Sequence, residues 1–496
     1  MEEQPLTPFP FIDWYGIWPG HGGVGRDGLS WIQDPPLGAL RLAVQQARLS
    51  DRLFTAGEHP WEVGWITPNC VLHEEGTLKM WYRCTGDDGI GYVAYAESAD
   101  GFNWKKPQLG LVEYRGLKAN NLLHPGEYFG LYSVFRDPAA LPEERYKSVL
   151  PTGKYYVDGV PDPNLTKEQF REMRRAMQHE GFTSEKIAQK LSVHQVIIGA
   201  VSPDGLRWKV LEEPLRDLGS RTLDGDYVAT YDEERGEYVA YHRGHMERRR
   251  SVRRSVGKRF DEWGDPRWVF MPDPQDPIDV DVYSSGYCRY PGASLHLMFL
   301  PFYHRLTSTV DIQLATSRDG ELWSRPERVP IIPRGEYESV YGQPNLVPLS
   351  GEEWGILVHG THARHDFKTD PSDVYDNVLE WRWATWKRDR LVALEAQGEA
   401  RFTTVQKECR GREMRLNFQT EKGGWVRVEL VNPPVTPPAP VEPFAGFGLA
   451  EADVLVGDEL SRAVTWKGRA DLSALKGRQV SIRFHLCRAR LYSLSI

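Results

Sequence analysis

Cysteine is scarce in this 496-residue chain. The five present (Cys70, Cys84, Cys288, Cys409 and Cys487) are scattered and odd in number, with no CxxC. That excludes a disulfide framework or a zinc ribbon. Long apolar runs are missing too, and nothing approaches the ~18 residues of a membrane span. MEEQPLTPFP has neither the basic nor the apolar region of a secretory signal. The expectation is a cytoplasmic protein with no membrane partner, a signal removed beforehand being left open. Charge of one sign is not concentrated either. The net charge is -8, with no long run of either sign, so there is no basic face for nucleic-acid phosphates and no such partner is expected. One basic cluster exists, Arg248, Arg249, Arg250, Arg253 and Arg254. It alternates with Ser251, Val252 and Ser255 and reads as a strand, an anionic contact being the alternative.

Aromatic residues are plentiful, with 17 Trp and 22 Tyr. Flat rings stack on the C–H faces of sugars, and they also fill large β-sheet cores.

One phrase recurs. Residues 98–104 read SADGFNW, 202–208 SPDGLRW and 317–323 SRDGELW, with a degenerate copy, SVGKRFDEW, at 255–263. Each follows an alternating apolar strand. Asp-Gly supplies a tight turn, because Gly takes positive φ and Asp bonds its own backbone. The Trp then opens the next strand. A supersecondary unit repeated in this way is the signature of a propeller. Five such units fit between about residues 55 and 393. The predicted fold class is all-β: a five-bladed β-propeller over 1–395, followed by a C-terminal β-sandwich over 396–496. The second unit is longer than the others by residues 160–191. Their helical pattern, with a Thr166/Gln169 capping box and Gly181 as a C-cap, predicts a pair of helices inserted in blade two. The pair could serve as a lid or as a homo-oligomer contact.

In a propeller the innermost strand of every blade starts near the axis, so residues far apart in sequence converge there. Every unit opens with a carboxylate: Glu62 with Glu58, Asp137, Asp224 with Asp226, Asp281 with Asp279, and Glu338 with Glu336. Glycoside hydrolysis needs such a set. One carboxylic acid protonates the leaving oxygen, and a second carboxylate attacks the anomeric carbon or activates water. A third can tune the acid's pKa.

The segment Phe135-Arg136-Asp137-Pro138 resembles the Arg-Asp-Pro motif of glycoside hydrolase families 32 and 68. More broadly the chain resembles bacterial family-32-like and family-43-like propellers, through HPWE before the first blade, FRDP, an Asp opening blade three, the SxDGxxW turns and a tail ending LYSLSI. The resemblance implies that Asp137 binds sugar hydroxyls and steadies the transition state. The Asn-Asp-Pro-Asn-Gly box and the Glu-Cys motif of family 32 are absent, so fructan specificity does not carry over. By position Glu62 is the nucleophile or base candidate and Glu338 the general acid, with Asp224 and Asp281 beside them. Asp13 in the N-terminal arm competes. Trp14, Trp61, Trp65, Tyr283 and Tyr341 are candidate sugar platforms. Arg136, Arg243, His245, His359 and His362 are candidate hydroxyl or leaving-group contacts. HxxHxxH at His359, His362 and His365 could ligate a metal, but three-residue spacing on a strand alternates faces. No cofactor is expected, and a divalent cation is left open.

The leading expectation is a glycosidase acting on an oligosaccharide, with a furanosidic linkage one option. A glycoside phosphorylase on the same scaffold, with Arg243 and the histidines holding phosphate, is the alternative. A sialidase-like enzyme ranks lower, and a non-catalytic sugar-binding propeller remains open.

Overall fold

The computed structural model describes residues 8–496 apart from 54–57, 65, 126–130, 163–164, 166, 219–226, 367–379 and 435–439. Strands make up 51% of the chain and helices 5%, so the mostly-β expectation holds.

The sheets follow the chain. The first is Ile66–Glu74, Thr77–Thr85, Gly91–Ser98 and Leu122–Pro125, each antiparallel to its neighbour. The second begins Ser133–Arg136, Tyr146–Val157 and Leu191–Ser202, and helices Lys167–His179 and Ser184–Lys190 lie between its last two long strands. The third is Tyr227–Asp232, Glu237–Met246, Arg249–Gly257 and Arg267–Phe270. A fourth set runs from Val280–Val282 through His296–His304 to Thr309–Ser317, and a fifth from Ser339–Gly342 through Glu353–Thr361 to Glu380–Lys387. A single parallel bridge, Val310 to Ser339, joins these last two sets. The early strand Arg48–Leu49 pairs with Ala384 and Thr385, so the start of the chain completes its last set of strands.

Apolar clusters link the sets in a cycle. Trp81 and Val93 of the first pack with Val134 and Tyr146 of the second. Phe135 and Val149 of the second pack with Tyr227 and Ala240 of the third. Val239 and Val252 of the third meet Val280 and Leu300 of the fourth. Leu297 and Ile312 of the fourth join Val340 and Ile356 of the fifth. Leu357 and Trp383 of the fifth return to Leu78 and Met80 of the first. Burying side chains of this size stabilises by about 1.5–3 kcal/mol each, which drives the closure.

The repeated phrase makes the same turn three times. Ser98, Ser202 and Ser317 each accept the backbone N–H of Gly101, Gly205 or Gly320 through Oγ at 2.9 Å. Asp100, Asp204 and Asp319 each accept two backbone N–H groups through Oδ1 at 2.8–2.9 Å. These bonds hold the Asp100 carboxyl well below its usual range. The glycines sit at φ +83, +76 and +71, where a Cβ would be strained. Their carbonyls accept Trp383 Nε1, Trp81 Nε1 and the Tyr241 hydroxyl from the preceding set of strands. The repeat is thus both a hairpin turn and a clip between neighbours.

The C-terminal region is a seven-stranded sheet built on Gln479–Ser495, flanked by Arg415–Val431 and Val392–Thr403. It also takes Leu40–Val44 and Phe9–Pro10 from the N-terminal arm. Its long strands shift register between Thr420 and Trp425 and between Ala396 and Glu399. Such bulges bend a strand.

Candidate active site

The first strand of each set runs from one end of the cycle, the opening end, to the other, the far end. The repeat turns close third strands, which run parallel to the first, so they lie at the far end. This polarity sorts the predicted residues.

At the opening end three sets of strands bring together a cluster of aromatic rings and arginines. Arg243 is buried at the end of Glu237–Met246. Its Nε donates to the Tyr283 carbonyl at 2.7 Å, and its guanidinium lies 4.1 Å from the Tyr283 ring centre. Tyr283 meets Tyr341 edge to face at 5.8 Å. Tyr341 stacks on His359 at 4.9 Å, and its hydroxyl is 2.7 Å from His365 Nδ1. His365 also touches Tyr283 and Tyr303. Arg250 lies 5.3 Å from both tyrosine rings, Tyr283 and Tyr303. Four of the predicted contacts (Arg243, Tyr283, Tyr341 and His359) therefore share one place. His359 is pushed down to about 4 by burial and is neutral at pH 7. His245, exposed beside them, is lowered by burial and then by Arg243 and Arg250.

Asp281 belongs to the same end, but its carboxylate is fully buried and committed. Arg305 grips both oxygens at 3.0 Å and Arg250 donates to Oδ2 at 3.1 Å. A carboxylate between two guanidiniums fits the role of anchor for Arg250, which in turn borders Tyr283. Glu338 is half-exposed at the rim, 3.6 Å from Arg364 and 3.8 Å from Arg334. Strand alternation puts it on the face of Val340, opposite Tyr341. His362 is exposed. It packs on Tyr337 and lies 4.0 Å from Glu380.

Glu62 is separate from this cluster. It is fully buried, accepting the Tyr82 hydroxyl at 2.6 Å and the Lys106 ammonium at 2.8 Å. Lys106 also reaches Glu58 at 2.5 Å. Against the opposing pull of burial, the two carboxylates hold that ammonium above its ordinary range. Ligand atoms of Glu58, His59 and Glu62 lie within 4.8 Å of one another, but a divalent ion there would have to displace the lysine. Trp61 is core: it stacks on His59 at 4.6 Å and donates to Asn121 at 3.0 Å.

Other residues lie at the far end. Asp137 follows the strand Ser133–Arg136 instead of opening it. Its carboxylate caps the N–H of Ala139 at 3.0 Å and accepts the Tyr238 hydroxyl at 2.5 Å, with Lys147 at 3.5 Å. The motif closes its strand and does not open it, because FRDP alternates as well before a turn as after one. Arg136 goes with it. Trp14 is exposed beside Asp13, which is held by both donor arms of Arg318 in the last repeat turn. Asp224 and Trp65 lie outside the described residues.

Sequence reasoning missed Arg250, Tyr303 and Asp366 as parts of the opening-end cluster. Arg250 was visible only as one of five clustered arginines. The Tyr303 hydroxyl donates to Asp366, a contact between sets of strands that no local pattern encodes.

No family model matches the chain, and no curated protein matches it. Among solved structures, sucrose-6-phosphate hydrolase from Lactobacillus gasseri is similar at 10% identity over 89% of this chain and 92% of its own, with a TM-score of 0.42. The catalytic domain of a Coprinopsis cinerea GH62 alpha-L-arabinofuranosidase is similar at 11% identity over 69% and 97%, with a TM-score of 0.39. The Bombyx mori GH32 beta-fructofuranosidase BmSUC1 is similar at 9% identity over 90% and 94%, with a TM-score of 0.37. At these scores the likeness carries no argument about chemistry.

Proposed function

We propose that the chain is a glycoside hydrolase built on a five-bladed β-propeller, acting on an oligosaccharide at the opening end of the axis. In this reading the five sets of strands are the blades, the helical pair is an insertion in blade two, and the C-terminal sheet is a β-sandwich module. The observation that carries the reading is the convergence of Tyr283, Tyr341 and Arg243 from three sets of strands. Two rings set edge to face offer a sugar an apolar wall, while the guanidinium and the neutral His359 supply donors for hydroxyl oxygens. Asp366 has solvent access beside this cluster and accepts from Tyr303, and Glu338 has it at the rim on the Val340 face; we assign the acid–base work to them. A panel of nitrophenyl furanosides and pyranosides, with and without phosphate, tests the class. Turnover that falls at least a hundredfold in Glu338→Gln or Asp366→Asn supports the assignment, and turnover indifferent to both overturns it.

A second reading, sugar binding without turnover, is favoured by one observation. Glu62, Asp137 and Asp281 all have their carboxylates committed to cations or tyrosine hydroxyls. Glycan binding with no turnover of any panel member would select it.

A further inference from the structure

The far end of the axis holds a cavity of about 430 Å³, within the range of small-molecule sites. Every one of the five sets of strands contributes, through Val71–His73, Ser133–Arg136, Val228–Thr230, Tyr287–Arg289 and the stretch from Asn345 to Pro348. These are the later parts of the inner strands, whereas the sugar cluster uses residues near their starts. The two places are therefore distinct. Bonds from one inner strand to the next hold the wall together. Cys70 Sγ donates to the Val134 carbonyl at 3.2 Å, Ser133 Oγ to the Ala229 carbonyl at 3.0 Å, and Asn345 Nδ2 to the Val71 carbonyl at 3.0 Å.

The wall is mostly apolar, with His73 and Thr230 as polar members. Val71, Val134, Val228, Leu346 and Val347 line it. The polar side chains Ser133 and Asn345 are occupied by those backbone bonds. The Cys288 thiol is pushed up to about 12 by burial and stays neutral. The mouth is different. Arg289 is engaged by Glu234 at 2.9 Å and by His296 at 3.1 Å. The acids nearby are engaged too: Asp137 by Tyr238 and Lys147, and Glu74 by Lys79 and Tyr146. Arg136 is exposed and makes no ion pair or side-chain hydrogen bond with any described residue. A cation with no counter-charge among the described residues thus stands over a mostly apolar chamber.

We propose that this cavity is a second ligand site, for a small organic anion: a carboxylate seated on Arg136 with a short apolar body inside the ring. An inorganic anion would leave the chamber unfilled. A sugar would place many of its hydroxyls against valine and leucine side chains that offer them no partner. A guanidinium matches a carboxylate with two parallel donors, which sets the orientation.

Calorimetric titration of the full chain with hexanoate tests this, with hexanol and inorganic phosphate as comparison probes. The expected result is one saturable hexanoate site per chain, weaker by about tenfold or more in Arg136→Met. Thr230→Trp, which fills the mouth, should abolish it. Both variants are checked for native circular dichroism and melting temperature, and Thr230→Trp keeps the test decisive if Arg136→Met is unstable. Failure of hexanoate to saturate overturns the proposal. So does hexanol binding as tightly as hexanoate, phosphate binding more tightly than hexanoate, or hexanoate affinity unchanged in both variants. None of these outcomes bears on glycoside turnover at the opening end.

Discussion

The two ends of the axis are built from the same five inner strands, yet they differ in how charge is handled. At the opening end Asp281 is buried between Arg250 and Arg305, and arginine faces lie on tyrosine rings. At the far end Arg136 stands exposed over a mostly apolar chamber. Charge buried with partners is committed to holding a surface in shape, and charge left in solvent is available to a ligand. Both ends hold committed pairs, Asp137 with Tyr238 and Lys147 among those at the far end, and the far end adds Arg136 as a handle in solvent.

The largest expected contrast is in stability. Asp281→Ala leaves two guanidiniums without their shared partner and should cost about 3–5 kcal/mol in urea unfolding. Arg136→Ala should change stability by no more than about 0.5 kcal/mol. Equal losses would erase the distinction between the ends. Lys106→Met, which strands the buried Glu62, should also fall in the larger range although it lies outside both the opening-end cluster and the far-end cavity.

Turnover gives the next contrast. Tyr283→Ala should lower kcat/KM for any active glycoside by about a hundredfold, about 2.7 kcal/mol, while Arg136→Ala leaves it within twofold. The reverse pattern would move the sugar site to the far end.

Acid should not discriminate between the ends. Burial pushes His242 and His359 at the opening end, and His296 at the far end, down to about 4. Unfolded, they titrate near 6.5. Between about pH 6.5 and 4 the unfolded chain binds more protons, so their contribution is full above 6.5 and is lost as pH falls through 4. Melting temperatures across that window should drop less steeply in His242→Asn and in His296→Asn, by similar amounts. A flattening confined to one of them would show that the ends unfold separately.

The smallest effect sharpens the role of the turns. Ser317→Ala removes one cap of a repeat turn and should cost about 1 kcal/mol by thermal melting. Ser98→Ala and Ser202→Ala should match it, since the three turns share their bonds.

Much of this was readable from residue order. The SxDG turns and the alternating strands depend on contacts within a few residues, and the turns recur in the structure at the three places the phrase marks. The aromatic and basic members of the opening-end cluster were readable in part. Tyr283, Tyr341, Arg243 and His359 carry the right chemistry at strand ends, and a repeat unit predicts which strand ends meet. Arg250, Tyr303 and Asp366 were not readable as members, because their roles come from side chains of other sets of strands.

The sequence by itself determined the local grammar: where the chain turns and which residues alternate inward. Those follow from backbone preference and the two-residue period of a strand. The tertiary structure alone decided which charges are committed. Glu62, Asp137 and Asp281 look alike in one dimension, each a carboxylate beside an apolar strand. Folding pairs Glu62 with Lys106, Asp137 with Tyr238 and Asp281 with two arginines, and it leaves Arg136 without a partner among the described residues. Partnership between distant charges depends on which strand ends face each other across the ring, and that is fixed only when the ring closes.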